Sequence, residues 1–157
     1  MPFASEPQTL TPKRLVYLAG PIEIVDTWRE RAGAVLDKLG FESINPLRGE
    51  DFKKSGKYIQ SDIPDTLIVM RDTNDLQRCN ASGGFCLMNL AKTREGRNPI
   101  GTLFELQWCW ERRLPIIAVM GAQCDPGYKN SPWIKTMVSY QATSVTDALT
   151  LIEAYFV

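Results

Sequence analysis

The central part of the chain reads GFCLMNL at residues 84–90, PIGTLFEL at residues 99–106 and LPIIAVM at residues 114–120. The first and third segments are short apolar runs bounded by turn residues, which is typical of buried β-strands. Residues 102–113 lie between them, are rich in helix-forming side chains and contain no proline, so they predict a helix. The order strand, loop, helix, strand is the unit of a parallel sheet.

The same alternation continues on both sides of this unit. Strands are predicted at residues 14–19, 41–45, 84–90, 114–120 and 142–145. Helices are predicted at residues 26 or 27 to 39, 65 or 66 to 79, 102–113, 133–140 and 146–155. This order predicts an α/β fold, with a doubly wound, flavodoxin-like five-stranded parallel sheet and helices on both faces. Residues 1–13 are expected to form a flexible polar tail, and residues 14–157 a single domain.

The composition excludes several classes of partner. The chain has 157 residues, with 18 lysines and arginines balanced by 18 aspartates and glutamates. No bulk charge therefore favours nucleic acid or an anionic membrane, and the apolar runs are too short to span a bilayer. The four cysteines show no CxxC spacing, so we expect reduced thiols and a cytoplasmic location.

The absence of histidine narrows the chemistry further. Because the chain contains no histidine, Ser-His-Asp and Cys-His catalysis and histidine-based zinc sites are excluded. Proton transfer must then use carboxylates, tyrosines, lysines or water. We expect neither a metal site nor a cofactor.

Candidate binding residues follow three predicted strands: Gly20-Pro21-Ile22, Asn45-Pro46-Leu47-Arg48 and Asn89. The carboxyl ends of parallel strands meet at one edge of the sheet, where ligands bind. Helical spacing places Asp72 and Asp75 on one helix face, and Glu105 lies one turn into its predicted helix. The helix dipole favours an ionised carboxylate there, which suits a nucleophile. Several carboxylates around a pocket without histidine indicate glycosidic chemistry, in which one carboxylate attacks the anomeric carbon and another group protonates the leaving group.

Structural roles are an alternative for the helical residues. Thr102 and Glu105 have the spacing of a capping box, in which both side chains satisfy free amides at a helix start. Asp72 and Asp75 can instead be solvated or pair with arginines of the same helix.

Structural roles are also open for the loop and strand residues. Tyr17 lies in an apolar strand and can be a core residue, and Gly20-Pro21 can be only a tight turn. The loop Lys92-Thr93-Arg94-Glu95-Gly96-Arg97 looks like a phosphate cradle but lacks the P-loop pattern, so a solvated surface is its alternative.

Three motifs, in this order, resemble those of the nucleoside 2-deoxyribosyltransferase family. They are YLAGPI at residues 17–22, followed by Trp28-Arg29 and by NPLRG at residues 45–49; RDxxDxxxCN at residues 71–80; and IGTxxEL at residues 100–106. The middle motif usually ends in aspartate, where this chain has Asn80. The resemblance covers roughly residues 14–150, nearly the whole chain.

The resemblance implies roles for individual residues. Glu105 would form a covalent bond to C1′ of a 2′-deoxyribose, Tyr17 would orient that glutamate, and Asp75 would contact the nucleoside and help proton transfer to the base. The family commonly carries another aspartate before the nucleophile motif, where this chain has Asn98. The remaining candidate substrate-binding residues are Gly20, Pro21, Ile22, Pro46, Arg48, Asp72, Asn89, Gly101 and Thr102.

The resulting expectation is an N-deoxyribosyltransferase that exchanges the base of a 2′-deoxynucleoside for a free nucleobase. The resemblance also implies a homo-oligomer in which residues 155–157 lie near a neighbouring active site. A related 2′-deoxynucleoside 5′-monophosphate N-glycosidase is the first alternative, although Glu23 in the first loop is unfavourable near a phosphate. A non-catalytic nucleotide-binding sensor is the second, against which the intact carboxylate set argues.

Overall fold

A computed structural model describes residues 11–22, 28–47, 64–93 and 95–157 of the chain. Its elements are β1 (Leu15–Ala19), α1 (Trp28–Lys38), β2 (Glu42–Ile44), α2 (Asp65–Ala81), β3 (Phe85–Asn89), α3 (Ile100–Glu111), β4 (Ile116–Val119), α4 (Pro126–Asn130), α5 (Pro132–Met137), β5 (Tyr140–Ala142) and α6 (Val145–Phe156). Arg48, the predicted start of the first helix and most of the predicted N-terminal tail lie outside the described residues.

The five strands form one all-parallel sheet in the order β2-β1-β3-β4-β5. This order confirms the predicted doubly wound, flavodoxin-like topology. The chain moves outward from β1 to β2 and then returns to place β3 on the other side of β1. The topological switch point therefore lies between β1 and β3, where Tyr17 pairs with Cys86, and a ligand crevice is expected beyond the carboxyl ends of these two strands.

Helices cover both faces of the sheet, as predicted. Alternate residues of each strand point to opposite faces, so each strand contributes side chains to both packing layers. On one face Tyr17 and Ala19 of β1 pack with apolar residues of α2, α3 and α5. On the other face Val16 and Leu18 pack with residues of α1 and α6. The strands are apolar on both sides because each face is covered, which is the pattern of buried parallel strands.

Two predicted boundaries near the C-terminus are wrong. The helix predicted at residues 133–140 is α5, which ends already at Met137 and begins with Pro132 after the capping Ser131. A second short helix, α4, lies in the segment predicted as a loop and begins with Pro126 after the capping Asp125. The last strand lies at Tyr140–Ala142 rather than at residues 142–145. Ser144 cannot belong to that strand because its hydroxyl caps α6 by accepting a hydrogen bond from the Asp147 amide at 3.0 Å.

All four cysteines are buried and unbridged, as expected. Within the described ranges, no helix combines the length and apolar character needed to cross a membrane.

Candidate active site

Helix α3 begins earlier than the sequence predicts, and this changes the interpretation of Glu105. The helix starts at Ile100 with Pro99 as its N-cap residue, and no side chain caps it. Thr102 is therefore the third helical residue and is buried, so the capping-box interpretation is wrong. Glu105 lies in the second turn, whereas the helix dipole acts mainly over the first turn.

Burial, rather than the helix dipole, dominates the electrostatics of Glu105. Loss of solvent raises the pKa of its carboxyl group to about 7. The Tyr17 hydroxyl and the Arg29 charge lower this pKa, whereas the negative charge of Asp72 raises it. The carboxylate is thus balanced between its charged and neutral forms near neutral pH.

Tyr17 lies beside Glu105 at the switch point between β1 and β3. Burial first, and then the charges of Glu105 and Asp72, raise the pKa of Tyr17 far above its ordinary value, so the phenol keeps its proton. The Tyr17 hydroxyl and Glu105 Oε2 are both buried, and within the described ranges neither atom makes a hydrogen bond of standard geometry. The phenol therefore has a hydrogen bond left to donate, and the neighbouring Glu105 carboxylate is an acceptor for it.

A cavity of about 340 Å³ opens beside these two residues. Its volume lies within the range of small-molecule sites. It brings together ten of the candidate residues: Tyr17, Gly20, Pro21, Ile22, Pro46, Asp72, Asn98, Gly101, Thr102 and Glu105. The strand ends, α2 and the start of α3 therefore converge on one site at the carboxyl edge of the sheet.

Two other candidate residues do not line this cavity. Asp75 is 1% exposed, and its carboxylate pairs with the Arg78 guanidinium at 3.3 Å. Asn89 uses its side-chain oxygen to accept a hydrogen bond from the Ala91 amide at 3.1 Å, which supports the chain after β3. Of the aspartate pair predicted on α2, only Asp72 reaches the cavity.

Three arginines outside the candidate residues of the sequence analysis also line the cavity: Arg29, Arg71 and Arg97. Arg71 donates to the Pro46 carbonyl and to Asp72 Oδ1, so it joins α2 to the end of β2. Its position next to Asp72 in sequence was the available signal.

Arg97 brings the basic loop to the cavity. It lines the cavity together with Thr93, and its backbone amide donates to the Thr93 hydroxyl at 3.1 Å. The Arg97 side chain is 79% exposed and pairs with Glu95 at 3.3 Å. The Arg97 side chain is therefore largely solvated, as the solvated-surface interpretation of this loop predicts, although Thr93 and Arg97 also line the cavity.

Asn98 is fixed in orientation by a carboxylate. Its Nδ2 donates to Asp125 Oδ2 at 3.3 Å, and Lys92 pairs with the same oxygen at 3.5 Å. A carboxylate can only accept, so the Asn98 amide nitrogen must face Asp125 and the Asn98 oxygen must face away. That oxygen is buried and finds no hydrogen-bond donor among the described residues.

These groups define what the site can do. Glu105 supplies a carboxylate that is only weakly solvated, Tyr17 supplies a hydrogen-bond donor that stays neutral, and Asp72 supplies a second carboxylate in the same cavity. In the described part of the chain, no cluster of three or more potential ligand side chains is placed to hold a metal ion. The arrangement suits nucleophilic attack by a carboxylate on an electrophilic carbon.

No protein-family model matches the chain, and no curated protein matches its sequence. Among the solved structures that are similar to it are two deoxyribosyltransferases. A 2-deoxyribosyltransferase from Bacillus psychrosaccharolyticus has a TM-score of 0.59 and 15% identity, with 86% of this chain and 90% of that chain covered. A 2-desoxiribosyltransferase from Leishmania mexicana has a TM-score of 0.65 and 13% identity, with 93% and 100% covered. At these identities the similarity shows that this chain has the fold of nucleoside 2-deoxyribosyltransferases.

Proposed function

We propose that the protein is an N-deoxyribosyltransferase that exchanges the base of a 2′-deoxynucleoside through a covalent deoxyribosyl intermediate on Glu105. The observation that carries this proposal is the carboxyl group of Glu105, which lies beside Tyr17 in a cavity of nucleoside size at the switch point of the sheet. The deoxyribosyltransferases that share the fold support the choice of substrate class.

The reaction takes two displacement steps. In the first step an oxygen of Glu105 bonds to C1′ while the C1′–N bond breaks, and the electron pair leaves with the base, which takes up a proton. In the second step a nitrogen of the incoming base bonds to C1′, loses a proton, and releases the Glu105 carboxylate. Both steps pass through an oxocarbenium-like state that a nearby negative charge stabilises.

Tyr17 and Asp72 have distinct tasks in this scheme. In the proposed reaction the Tyr17 phenol moves into hydrogen-bond distance of Glu105 and donates to it, which fixes which carboxylate oxygen attacks. Asp72 is the second carboxylate in the cavity, which makes it our candidate for proton exchange with the base. The family resemblance implies Asp75 for that task, and the comparison of Asp72→Asn with Asp75→Asn decides between them: the variant that fails mainly on bases needing protonation identifies the proton-transfer residue.

A second candidate function is hydrolysis of a 2′-deoxynucleoside 5′-monophosphate. Arg97 and Thr93 at the cavity favour it, because a guanidinium and a hydroxyl are suitable partners for a phosphate. Arg29 does not serve this purpose well, since its donors already bind backbone carbonyls.

One chromatographic experiment separates these functions. The protein is incubated with a purine 2′-deoxynucleoside and a different free base, and in parallel with the corresponding 5′-monophosphate, with Glu105→Gln as the control. A new deoxynucleoside supports the transferase. Free sugar phosphate from the monophosphate alone supports the hydrolase, and no product from either substrate contradicts both.

We also propose a homo-oligomer with the C-terminus near a neighbouring site. Phe156 packs within its own chain, with its ring centroid 4.9 Å from that of Phe85. Tyr155 and Val157 are 76% and 69% exposed, so these are the side chains that can reach another copy.

A further inference from the structure

Arg29 is an arginine buried at the first turn of α1, with only 2% of its surface exposed. Its guanidinium donates to three backbone carbonyls of the described residues: Nε to Leu18 at 3.1 Å, Nη2 to Gly20 at 2.9 Å and Nη1 to Pro21 at 3.2 Å. One side chain thus binds most of the backbone carbonyls at the corner where the chain leaves β1.

This corner is part of the cavity wall. Gly20, Pro21 and Ile22 line the same cavity as Glu105, and the Arg29 side chain lines it as well. A loop that leaves a parallel sheet has carbonyl groups without strand partners, and such buried groups are costly unless they are bonded. The guanidinium removes that cost and, because its donors form a rigid planar fork, it also fixes where the three carbonyls lie.

Packing holds the corner from the other side. The ring of Trp28 lies against Arg29, with the guanidinium carbon 4.7 Å from the ring centroid. A Cβ atom at Gly20 would lie only 3.0 Å from the Trp28 ring and 3.1 Å from the Asn89 carbonyl oxygen. The backbone at Gly20 therefore sits between the first turn of α1 and the end of β3, with no space for a side chain.

We propose that Arg29 is a positioning residue for the reaction proposed above: its guanidinium holds the Gly20–Ile22 wall at the distance from Glu105 that the substrate requires. The expected kinetic effects of this inference rest on the proposed function. The three hydrogen bonds from Arg29 to the carbonyls of Leu18, Gly20 and Pro21, which we call the Arg29 clamp, are present without substrate. A lysine retains the positive charge but has no planar fork, so it cannot hold three carbonyls in one geometry.

The charge of Arg29 has a second effect at the same site. It lowers the pKa of Glu105 and so favours the ionised nucleophile. Tyr17 from β1 and Asp72 from α2 also face Glu105, and the Cys86 thiol of β3 lies near it. Lysine and glutamine at position 29 therefore separate the two contributions, because both lose the fork but only glutamine loses the charge.

The test compares Arg29→Lys and Arg29→Gln with Arg31→Lys and Arg31→Gln, which change an exposed arginine of the same helix. Base exchange is measured as kcat and KM over a range of pH. We expect kcat/KM to fall about 100-fold in Arg29→Lys with an unchanged pH midpoint, because the wall moves by a fraction of an ångström to an ångström. In Arg29→Gln we expect the same fall and a midpoint shifted to higher pH. Both Arg31 variants should behave as the unaltered protein.

Two measurements do not depend on activity. Amide hydrogen exchange should be faster at Gly20 and Ile22 in the Arg29 variants than in the Arg31 variants. In the unaltered protein, NMR should find the Arg29 Nε–H proton protected from exchange, and this measurement remains decisive if the variants fail to fold. Two results would overturn the proposal. One is rapid solvent exchange of the Arg29 Nε–H proton, and the other is an Arg29→Lys variant whose base-exchange kinetics and amide hydrogen exchange are both unchanged. If the unaltered protein does not exchange one nucleobase for another, the proposed function fails. The two hydrogen-exchange measurements still test whether the Arg29 clamp is present.

Discussion

The carboxyl group of Glu105 lines the cavity, yet burial raises its pKa to about 7. A nucleophile that is weakly solvated is more reactive once ionised, because less water must be removed before it bonds to carbon. The cost is that a part of the molecules carries a proton on Glu105 at neutral pH. Tyr17 and Arg29 reduce this cost because both favour the charged form.

Replacing Glu105 by glutamine should abolish turnover while the fold is retained. An amide cannot form the covalent intermediate, so we expect the rate of base exchange to fall at least ~10³-fold. Intact-protein mass spectrometry should detect a deoxyribosyl adduct on the unaltered protein and none on the variant. Glu111→Gln, at an exposed position of the same helix, is the matched control and should keep full activity. Near-normal exchange by a folded Glu105→Gln protein would move the nucleophile elsewhere.

The raised pKa of Glu105 also predicts how activity and stability depend on pH. Because attack needs the ionised carboxylate, kcat/KM should rise with pH with a midpoint near 7. The folded protein holds this proton more tightly than the unfolded chain, whose glutamate has its ordinary pKa of 4.5. The free energy of unfolding should therefore decrease between pH 4.5 and 7, by up to ~3 kcal/mol. Urea unfolding of the unaltered protein and of Glu105→Gln checks this, because only the unaltered protein should show the decrease.

At the scale of the elements, the sequence predicts most of the fold because its signals are local. Each apolar run and each helical period can be recognised within about ten residues. The alternation of strands and helices predicts a parallel doubly wound sheet, for which the flavodoxin-like strand order is the simplest. The predicted start of α3 at residue 102 is wrong because Thr102 and Glu105 have the spacing of a capping box. In the structure the helix begins at Ile100, directly after Pro99. A proline followed by a helix is the signal that would have corrected it.

The candidate site is less predictable because it depends on orientation and on contacts between distant loops. Asp72 and Asp75 share a helix face by spacing, but residues three apart differ by about 60° around the axis. That difference turns Asp72 to the cavity and buries Asp75. Likewise, no sequence pattern near Asn98 predicts its hydrogen bond to Asp125, which lies 27 residues away in sequence.

The close contact of β1 with the residue before β3 gives a prediction about the sheet. A Cβ atom at Gly84 would lie 1.8 Å from the Leu15 carbonyl oxygen, so Gly84→Ala must push the two strands apart. We expect a loss of about 3 kcal/mol or more in the free energy of unfolding. Gly101→Ala is the control, because an added Cβ meets no atom within 4 Å there and the residue is helical. It should raise stability by about 0.5–1 kcal/mol. Equal stability of the two variants in urea unfolding would show that the strands can separate without cost.

For the whole molecule, the two faces of the sheet have different tasks. Helices α2 and α3 cover the face that carries Tyr17, and they supply Asp72 and Glu105 to the cavity. Helices α1 and α6 cover the other face, and of these α1 reaches the site through Arg29. The cavity therefore has one wall formed by helices of the first face and a second wall, Gly20–Ile22, held by Arg29 from a helix of the other face.

The N-terminal halves of α2 and α3 also expose large apolar side chains, which we call the α2–α3 surface: Leu67, Val69, Met70, Ile100 and Phe104, each 51–73% exposed. Val69 and Phe104 line a groove that Asp72 and Glu105 line as well. Clustered apolar side chains of this kind mark interaction sites. We therefore predict that the protein self-associates through the α2–α3 surface and that the partner copy shields the reacting carboxylate from water.

Sedimentation velocity at micromolar concentration should find an oligomer, and Val69→Lys combined with Phe104→Lys should convert it to a monomer, because two charges cannot be buried without partners. Base exchange should fall with it, since water then reaches Glu105 and competes with the incoming base. Trp133→Lys changes an equally exposed aromatic residue on α5, and it should alter neither property. A monomeric unaltered protein would contradict the prediction, and dissociation by Trp133→Lys alone would place the interface on α5 instead. The ratio of hydrolysis to transfer in the dissociated variant shows whether the partner excludes water: an unchanged ratio would mean that the single chain already does so.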